Sequence, residues 1–294
     1  MFQVIVPATT ANMGPGYDAL GMALKLYNHY TIEETSCGIE IDGLRGTILE
    51  KNLLYRTIKK VLEKYGYPFQ NIRISTQAHI PISRGLGSSA ACIVAGLMIA
   101  NRFLDGILSL QDVIQIGTQI EGHPDNIVPA IVGGMTVSVC EGGQIIYSKV
   151  NVPEKLRFAV FIPDFSVSTA EARKVIPQKY ERQDCIFNIG RVAMLVAAMN
   201  NGETEKLRIA MEDRIHQPYR GTLIPQMKQI FDAARSFGSK AEVISGSGST
   251  LMAVIDEKNT DFEQAMKGVL NHLDGNWEMK VLEPDLEGAR YCSE

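Results

Sequence analysis

Pro81-Ile82-Ser83-Arg84-Gly85-Leu86-Gly87-Ser88-Ser89-Ala90-Ala91 sets two glycines and two serines directly before a helix-like run. That pattern suits a phosphate. Glycines let backbone amides turn toward one point, and the first turn of a following helix leaves its N–H groups unpaired at the positive end of the helix dipole. The hydroxyls of Ser88 and Ser89 add donors and can supply an oxygen ligand for the magnesium that accompanies a nucleotide. A purely structural reading makes Gly85 and Gly87 turn residues and leaves the paired serines unexplained. A Walker loop needs a lysine followed by Ser or Thr after its last glycine, and none stands there. The looser dinucleotide pattern Gly85-x-Gly87-x-x-Ala90 needs an aspartate capping a second strand, whereas Asp105 directly follows a helix-like segment. The stretch therefore predicts a nucleotide-dependent enzyme.

Three further clusters carry ligand-type groups. Pro7-Ala8-Thr9-Thr10-Ala11-Asn12-Met13-Gly14-Pro15-Gly16-Tyr17-Asp18 follows a strand-like segment, and its Asn12 and Asp18 either cap turns or orient a small polar ligand. Glu121-Gly122-His123-Pro124-Asp125-Asn126 opens a helix. Glu121 can share a magnesium with Ser89, and His123, Asp125 or Asn126 can position a hydroxyl or take its proton. The structural alternative makes Asp125 an N-cap and His123 a satisfied structural residue. Ser245-Gly246-Ser247-Gly248-Ser249-Thr250 joins strand-like Ala241–Ile244 to Leu251–Ile255. Alone it is a β-turn; beside the other loops it is expected to complete the wall of one cleft between two domains.

Loops so far apart need a large scaffold. At 294 residues the chain is expected to form two domains or one large α/β body. Strand-like Phe2–Val6, Tyr27–Glu33 and Ile72–Thr76 alternate with an amphipathic helix from Asn52 to Tyr65, ended by Gly66 and Pro68. Ala90, Ala91, Ala95, Gly96 and Ala100 keep the next helix thin enough for close packing. Ser109 and Asp112 offer a capping box for a helix running to about Glu121, and Met135–Val139 with Gln144–Ser148 reads as a hairpin. After Leu156 come a strand, several helices, a strand–loop–strand unit, a helix over 261–273 and a strand over 277–282, an α+β texture. The predicted domains are 1–155 and 156–294.

Hydrophobic residues make up 45% of the chain and charged residues 21%, which excludes disorder as the main state. A net charge of -4 gives no general affinity for nucleic acid or an anionic membrane. Cys37, Cys92, Cys140, Cys185 and Cys292 are odd in number, scattered and without C-x-x-C spacing, as expected of reduced cytosolic thiols. The first residues lack a basic segment and a long apolar run, and the apolar run from Ala90 to Ala100 is too short to span a bilayer. A soluble, cytoplasmic protein without a membrane or nucleic-acid partner is expected.

In order, Pro-Ala-Thr-Thr-Ala-Asn-x-Gly-Pro-Gly-Tyr-Asp, Gly-Leu-Gly-Ser-Ser-Ala-Ala and Ser-Gly-Ser-Gly-Ser-Thr resemble the motifs of the GHMP kinases, the superfamily of galactokinase and the homoserine, mevalonate and phosphomevalonate kinases. The resemblance spans both predicted domains. Glu121–Asn126 and His216-Gln217-Pro218-Tyr219-Arg220 are similar to the branch that phosphorylates L-homoserine. Sugar and mevalonate members carry a basic residue in the first motif where this chain has Thr9-Thr10-Ala11-Asn12.

The resemblance implies an α+β, two-domain GHMP kinase fold: a ribosomal-protein-S5-like N-terminal domain holding the ATP and phosphate loop, and a ferredoxin-like α/β C-terminal domain. ATP and Mg2+ are implied. Pro81, Arg84, Gly85, Leu86, Gly87, Ser88, Ser89 and Ala90, with Gly246 and Gly248, would surround the nucleotide, and Asn52 would lie near its adenosine. Ser89 and Glu121 would hold the metal, with Ser88 as the alternative hydroxyl. Arg173 and Arg220 would grip the homoserine carboxylate, Asp18 its ammonium, and Asn12 and His123 would complete the pocket. His123, Asp125 and Asn126 would stand near the hydroxyl, Asp125 being the candidate base in a reaction that relatives have also been argued to run without one. Structural readings remain for Arg173, as a surface charge paired with an acid, and for Arg220, as a loop brace. The resemblance further implies threonine biosynthesis and a homodimer. Its competitors are another small alcohol as acceptor, or a sensor that binds ligand without turnover.

Overall fold

The computed structural model describes residues 1–36 and 38–292; Cys37 lies outside the described residues. Strands β1 (Phe2–Ala11), β2 (Leu20–Glu34) and β3 (Ile39–Ile41) precede helix α1 (Leu53–Lys64) and strand β4 (Ile72–Ala78). Then come α2 (Ser88–Phe103), α3 (Leu110–Glu121), α4 (Pro124–Val132) and the hairpin β5 (Met135–Glu141) with β6 (Gln144–Val150). The second half runs β7 (Leu156–Pro163), α5 (Thr169–Lys174), α6 (Arg182–Asn201), α7 (Leu207–Ala210), α8 (Gln217–Arg220), α9 (Met227–Ser236), β8 (Ala241–Ile244), β9 (Leu251–Asp256), α10 (Phe262–Leu270), β10 (Trp277–Leu282) and β11 (Arg290–Cys292). The fold is α+β, with two separate sheets. Among the described residues no helix is long and apolar enough to cross a membrane.

The first sheet follows the order β11-β1-β2-β4-β3, with the β5–β6 hairpin attached to β2. Its central pair, β1 and β2, is antiparallel and shifts register between Pro7 and Ala8. Proline lacks an N–H for the ladder, so a ladder irregularity is where it is tolerated. Beyond that shift the buried Thr9, Thr10, Ala11 and Asn12 run into the loop that ends at Asp18. The second sheet has the order β10-β7-β9-β8, all neighbours antiparallel, in a β-α-β-β-α-β chain. That is the ferredoxin-like arrangement. After β10 the tail returns to the first sheet, where β11 pairs with β1, and on the way Gly134 donates to the carbonyl of Asp285.

Helix boundaries follow local chemistry. Asn52 caps α1 by accepting from the Tyr55 amide, and Gly66, at positive φ, lies just past its end. Ser109 and Asp112 form the reciprocal capping box of α3, which ends at Gly122 in a left-handed conformation. The small face of α2 lies against α1 so closely that a Cβ on Gly96 would stand 2.8 Å from Thr57 Cβ. One continuous apolar cluster runs from Val4 and Ile58 through Val94 and Ile127 to Phe158 and Val254. A second, around Phe161, Ile230 and Phe262, fills the other face of the second sheet. The candidate site lies where the ends of β1, α2, α4 and the β8–β9 loop meet.

Candidate active site

A cleft of about 320 Å³ is walled by residues from every motif singled out above, including Asn12, Asp18, Arg84, Gly85, Gly87, Ser88, Ser89, Glu121, His123, Asp125, Asn126, Arg173, Arg220 and Gly246. The end of β1 binds its parts together. The amide of Thr9 donates to the carbonyl of Leu86 at 3.2 Å, and Thr9 Oγ1 donates to Asn126 Oδ1 at 2.7 Å. Thr10 Oγ1 lies 2.9 Å from Ser245 Oγ, which also reaches the carbonyl of Gly85 at 2.6 Å. The amide of Gly246 donates to the carbonyl of Ala11, so the third glycine loop docks on the first two.

The phosphate-type loop depends on its glycines. Gly85 (φ +77°) and Gly87 (φ +71°) adopt left-handed conformations, and a Cβ would stand 2.2 Å from Ser245 O in the first case and 1.9 Å from Thr9 Oγ1 in the second. Gly87 caps α2, whose first-turn amides have no acceptor inside the helix. Arg84 fastens the loop to the second half of the chain, its Nε donating to Pro163 O at 3.0 Å and its Nη2 to Asp164 O at 2.7 Å. Ser89 Oγ donates to Glu121 Oε2 at 2.8 Å, bringing the expected metal-binding oxygens together across α2 and α3. These hard oxygens suit a magnesium ion that takes its remaining ligands from phosphates and water.

At the start of α4, His123 is the N-cap and Pro124 the first helical residue, so Asp125 sits inside the first turn and is not itself the cap. His123 Nδ1 and Asp125 Oδ1 are 2.5 Å apart, and Asn126 Nδ2 donates to the same oxygen at 3.2 Å. Burial pushes the His123 imidazole toward losing its proton, but its hydrogen bond to Asp125 and the charges of Asp125, Glu121 and Asp18 outweigh that and raise its pKa. Helix α4 lies hard against β2, since a Cβ on Gly21 would stand 1.6 Å from Asp125 O.

The far end of the cleft is charged. Arg173 binds Asp18 in bidentate fashion, with both N–O distances 2.9 Å, and its Nη1 also donates to Tyr17 Oη at 3.0 Å. Asn12 spends its side chain on the loop, accepting from the Asp18 amide at 3.0 Å and donating to Gly246 O at 2.8 Å. Arg220 is 2% exposed, yet its guanidinium has no carboxylate partner among the described residues. Its Nε donates to Ala172 O at 3.4 Å, and its Nη1 to Gly246 O at 2.9 Å and to His216 Nδ1 at 3.3 Å. Burial pulls the pKa of this guanidinium down. His216 is wholly buried; donation from Nε2 to Gly14 O at 2.7 Å leaves Nδ1 as the acceptor for Arg220, which defines a neutral imidazole. Its pKa is lowered, by burial first and by the charge of Arg220 against that of Asp213.

Some expected residues stand back from the wall. Asn52 is occupied as the cap of α1, and the adjacent Leu53 faces the cleft instead. Leu86 and Ala90 are buried beneath the loop, while Pro81 and Gly248 lie outside the lining. Cys92, Val167 and Thr169, for which the sequence gives no site role, also line the cleft. Cys92 follows Ser88 by four residues and so shares its helix face. Thr169 sits in a Ser168–Glu171 capping box that the S-x-x-E pattern announces.

The GHMP kinases N terminal domain family matches residues 52–134, and the GHMP kinases C terminal family matches residues 195–271. The chain belongs to the GHMP kinases. It is 50% identical over 293 residues to the homoserine kinase of Clostridium novyi, covering 98% of each chain. It is 51% identical over 292 residues to that of Clostridium kluyveri, covering 98% of this chain and 97% of the other. The crystal structure of homoserine kinase from Cytophaga hutchinsonii superposes with a TM-score of 0.88 at 28% identity, covering 99% of this chain and 97% of that one. Within the family the chain thus groups with the homoserine kinases.

Proposed function

We propose that this protein transfers the γ-phosphate of ATP to the side-chain hydroxyl of L-homoserine, giving O-phospho-L-homoserine and ADP, in the cytoplasm and as a step of threonine biosynthesis. The observation that carries the acceptor assignment is Arg220: a buried guanidinium without a carboxylate partner among the described residues, in the wall of the cleft that also holds the phosphate-type loop. A buried cation is costly until an anion reaches it. With its Nε and Nη1 engaged by Ala172, Gly246 and His216, Nη2 is left to bind the carboxylate of the acceptor.

Asp18 and Arg173 together match the two charged groups of an amino acid. On binding, the acceptor ammonium meets Asp18 and its carboxylate meets Arg173 and Arg220, so both partners of the existing ion pair keep an opposite charge. Asn12 and His123 complete the pocket. Gly85 through Ala90, with Gly246 and Gly248 behind them, wrap the nucleotide phosphates; Pro81, Arg84 and Asn52 support that surface, Asn52 from the adenosine side. Ser89 and Glu121 hold magnesium, which neutralises phosphate charge when bound. Their 2.8 Å approach supports this assignment. The hydroxyl attacks in line as the bond to the ADP oxygen breaks; its proton passes to Asp125, or to an oxygen of the transferred phosphoryl group if placement and charge suffice, with His123 and Asn126 fixing the Asp125 carboxylate in either case.

The test is ADP release from Mg-ATP with L-homoserine compared with L-serine, mevalonate and galactose. Turnover selective for homoserine supports the assignment. Selective turnover of another alcohol keeps the kinase and removes the acceptor.

A further inference from the structure

Tyr17 stands behind the two arginines of the acceptor pocket and does not line the cleft. Both guanidiniums lie over its ring, with the Arg173 and Arg220 Cζ atoms 5.7 Å and 5.1 Å from the centroid. Tyr17 Oη accepts from Arg173 Nη1, and the ring also meets the His216 imidazole at a centroid distance of 5.3 Å, tilted by 34°. His216 is held between Gly14 O and Arg220 Nη1, so the aromatic pair has little freedom to move.

Two like charges converge here, and of the two only Arg173 has a carboxylate within ion-pair distance among the described residues. Repulsion between them would drive Arg173 toward solvent and strain Arg220 in its buried seat. The negative face of an aromatic ring attracts both guanidiniums, and a rigid ring sets a separation that a flexible side chain does not. We propose that Tyr17 is a positioning residue that sets the span between the Arg173 and Arg220 guanidiniums and thereby the preference for an acceptor bearing a carboxylate. This rests on the acceptor assignment proposed above. Tyr17 then acts on acceptor affinity and not on phosphoryl transfer.

The experiment measures KM and kcat for L-homoserine and for 3-aminopropanol, its analogue with hydrogen in place of the carboxylate, in the unaltered protein, Tyr17→Phe and Tyr17→Leu. Tyr17→Leu removes ring and hydroxyl, and should raise the homoserine KM about tenfold while kcat and the ATP KM stay within about twofold. Tyr17→Phe keeps the ring and loses one hydrogen bond, for a rise of about threefold. With 3-aminopropanol, kcat/KM should hold in both variants, so preference for the carboxylate falls by the same factors. Equal losses with both acceptors, or an unchanged homoserine KM, overturn the proposal. If Tyr17→Leu does not fold, the decision passes to Tyr17→Phe, read by the same split. Absence of any preference for homoserine in the unaltered protein removes the acceptor assignment, and this proposal with it; preference that survives in the variants removes only the role of Tyr17.

Discussion

The two ends of the cleft solve recognition in different ways. The phosphate-type end centres on one contiguous stretch, Gly85 to Ser89, made of backbone amides and small hydroxyls, shaped by two left-handed glycines and backed by Thr9 and Ser245. The proposed acceptor end draws Asp18, His123, Arg173 and Arg220 from four distant segments and is built of charge. Backbone donors cost little to bury near an anion, because they are dipoles with no net charge to desolvate. A buried guanidinium needs support on every side, which Arg220 receives from Ala172, Gly246, His216 and the ring of Tyr17. A site for a common ligand can therefore be compact and local, whereas a site for a particular zwitterion recruits the whole fold.

The strongest way to break this contrast is at the junction. Glu121→Ala should lower kcat roughly 10²- to 10³-fold whatever the acceptor, with the homoserine KM little changed; steady-state rates across a magnesium titration check this. Arg220→Gln should act on one end alone, lowering kcat/KM for homoserine about 10²-fold while the ATP KM holds, and homoserine should cease to raise the melting temperature. Gly87→Ala is the mirror experiment. A methyl group there meets Thr9 Oγ1 in a left-handed backbone, so the ATP KM should rise about tenfold with the homoserine KM nearly constant.

The supports of the acceptor end should show in the pH dependence of stability. His216 is held neutral below its ordinary value of 6.5, so as pH falls beneath that value the unfolded chain takes up a proton that the folded one refuses. Stability is therefore lost on acidification through that window, until the folded pKa is passed. Urea unfolding at pH about 7.5 and about 5 should give a smaller difference for His216→Gln than for the unaltered protein. The smallest effect belongs to a residue outside both ends: Ser109→Ala removes half of a capping box and should cost about 1 kcal/mol of stability, with kinetics unchanged.

Much of this molecule is legible residue by residue. The capping box at Ser109, the helix opened by Asn52, the β5–β6 hairpin with Gly142 and Gly143 at its turn, and the strand over 277–282 lie where turn and cap chemistry predict them. Such signals are local because helix bonds and tight turns join near neighbours in sequence. The strands are longer than their local pattern predicts for the converse reason: β1 runs on to Ala11 and β2 starts at Leu20, since each is extended by a partner rather than by its own alternation.

The site divides the same way. Composition and spacing alone single out a glycine-rich stretch with paired serines ahead of a helix and a cluster of polar groups at Glu121–Asn126. Only the tertiary structure decides that Asp18 pairs with Arg173, that the 245–250 loop docks on the other two, and that β11 closes the first sheet after the chain has built the second. An arginine reads the same in sequence whether it is solvated or enclosed. What suits Arg220 to the anion-binding role proposed for it is its burial against Tyr17, Ala172, His216 and Gly246, and burial is a property that no single segment possesses.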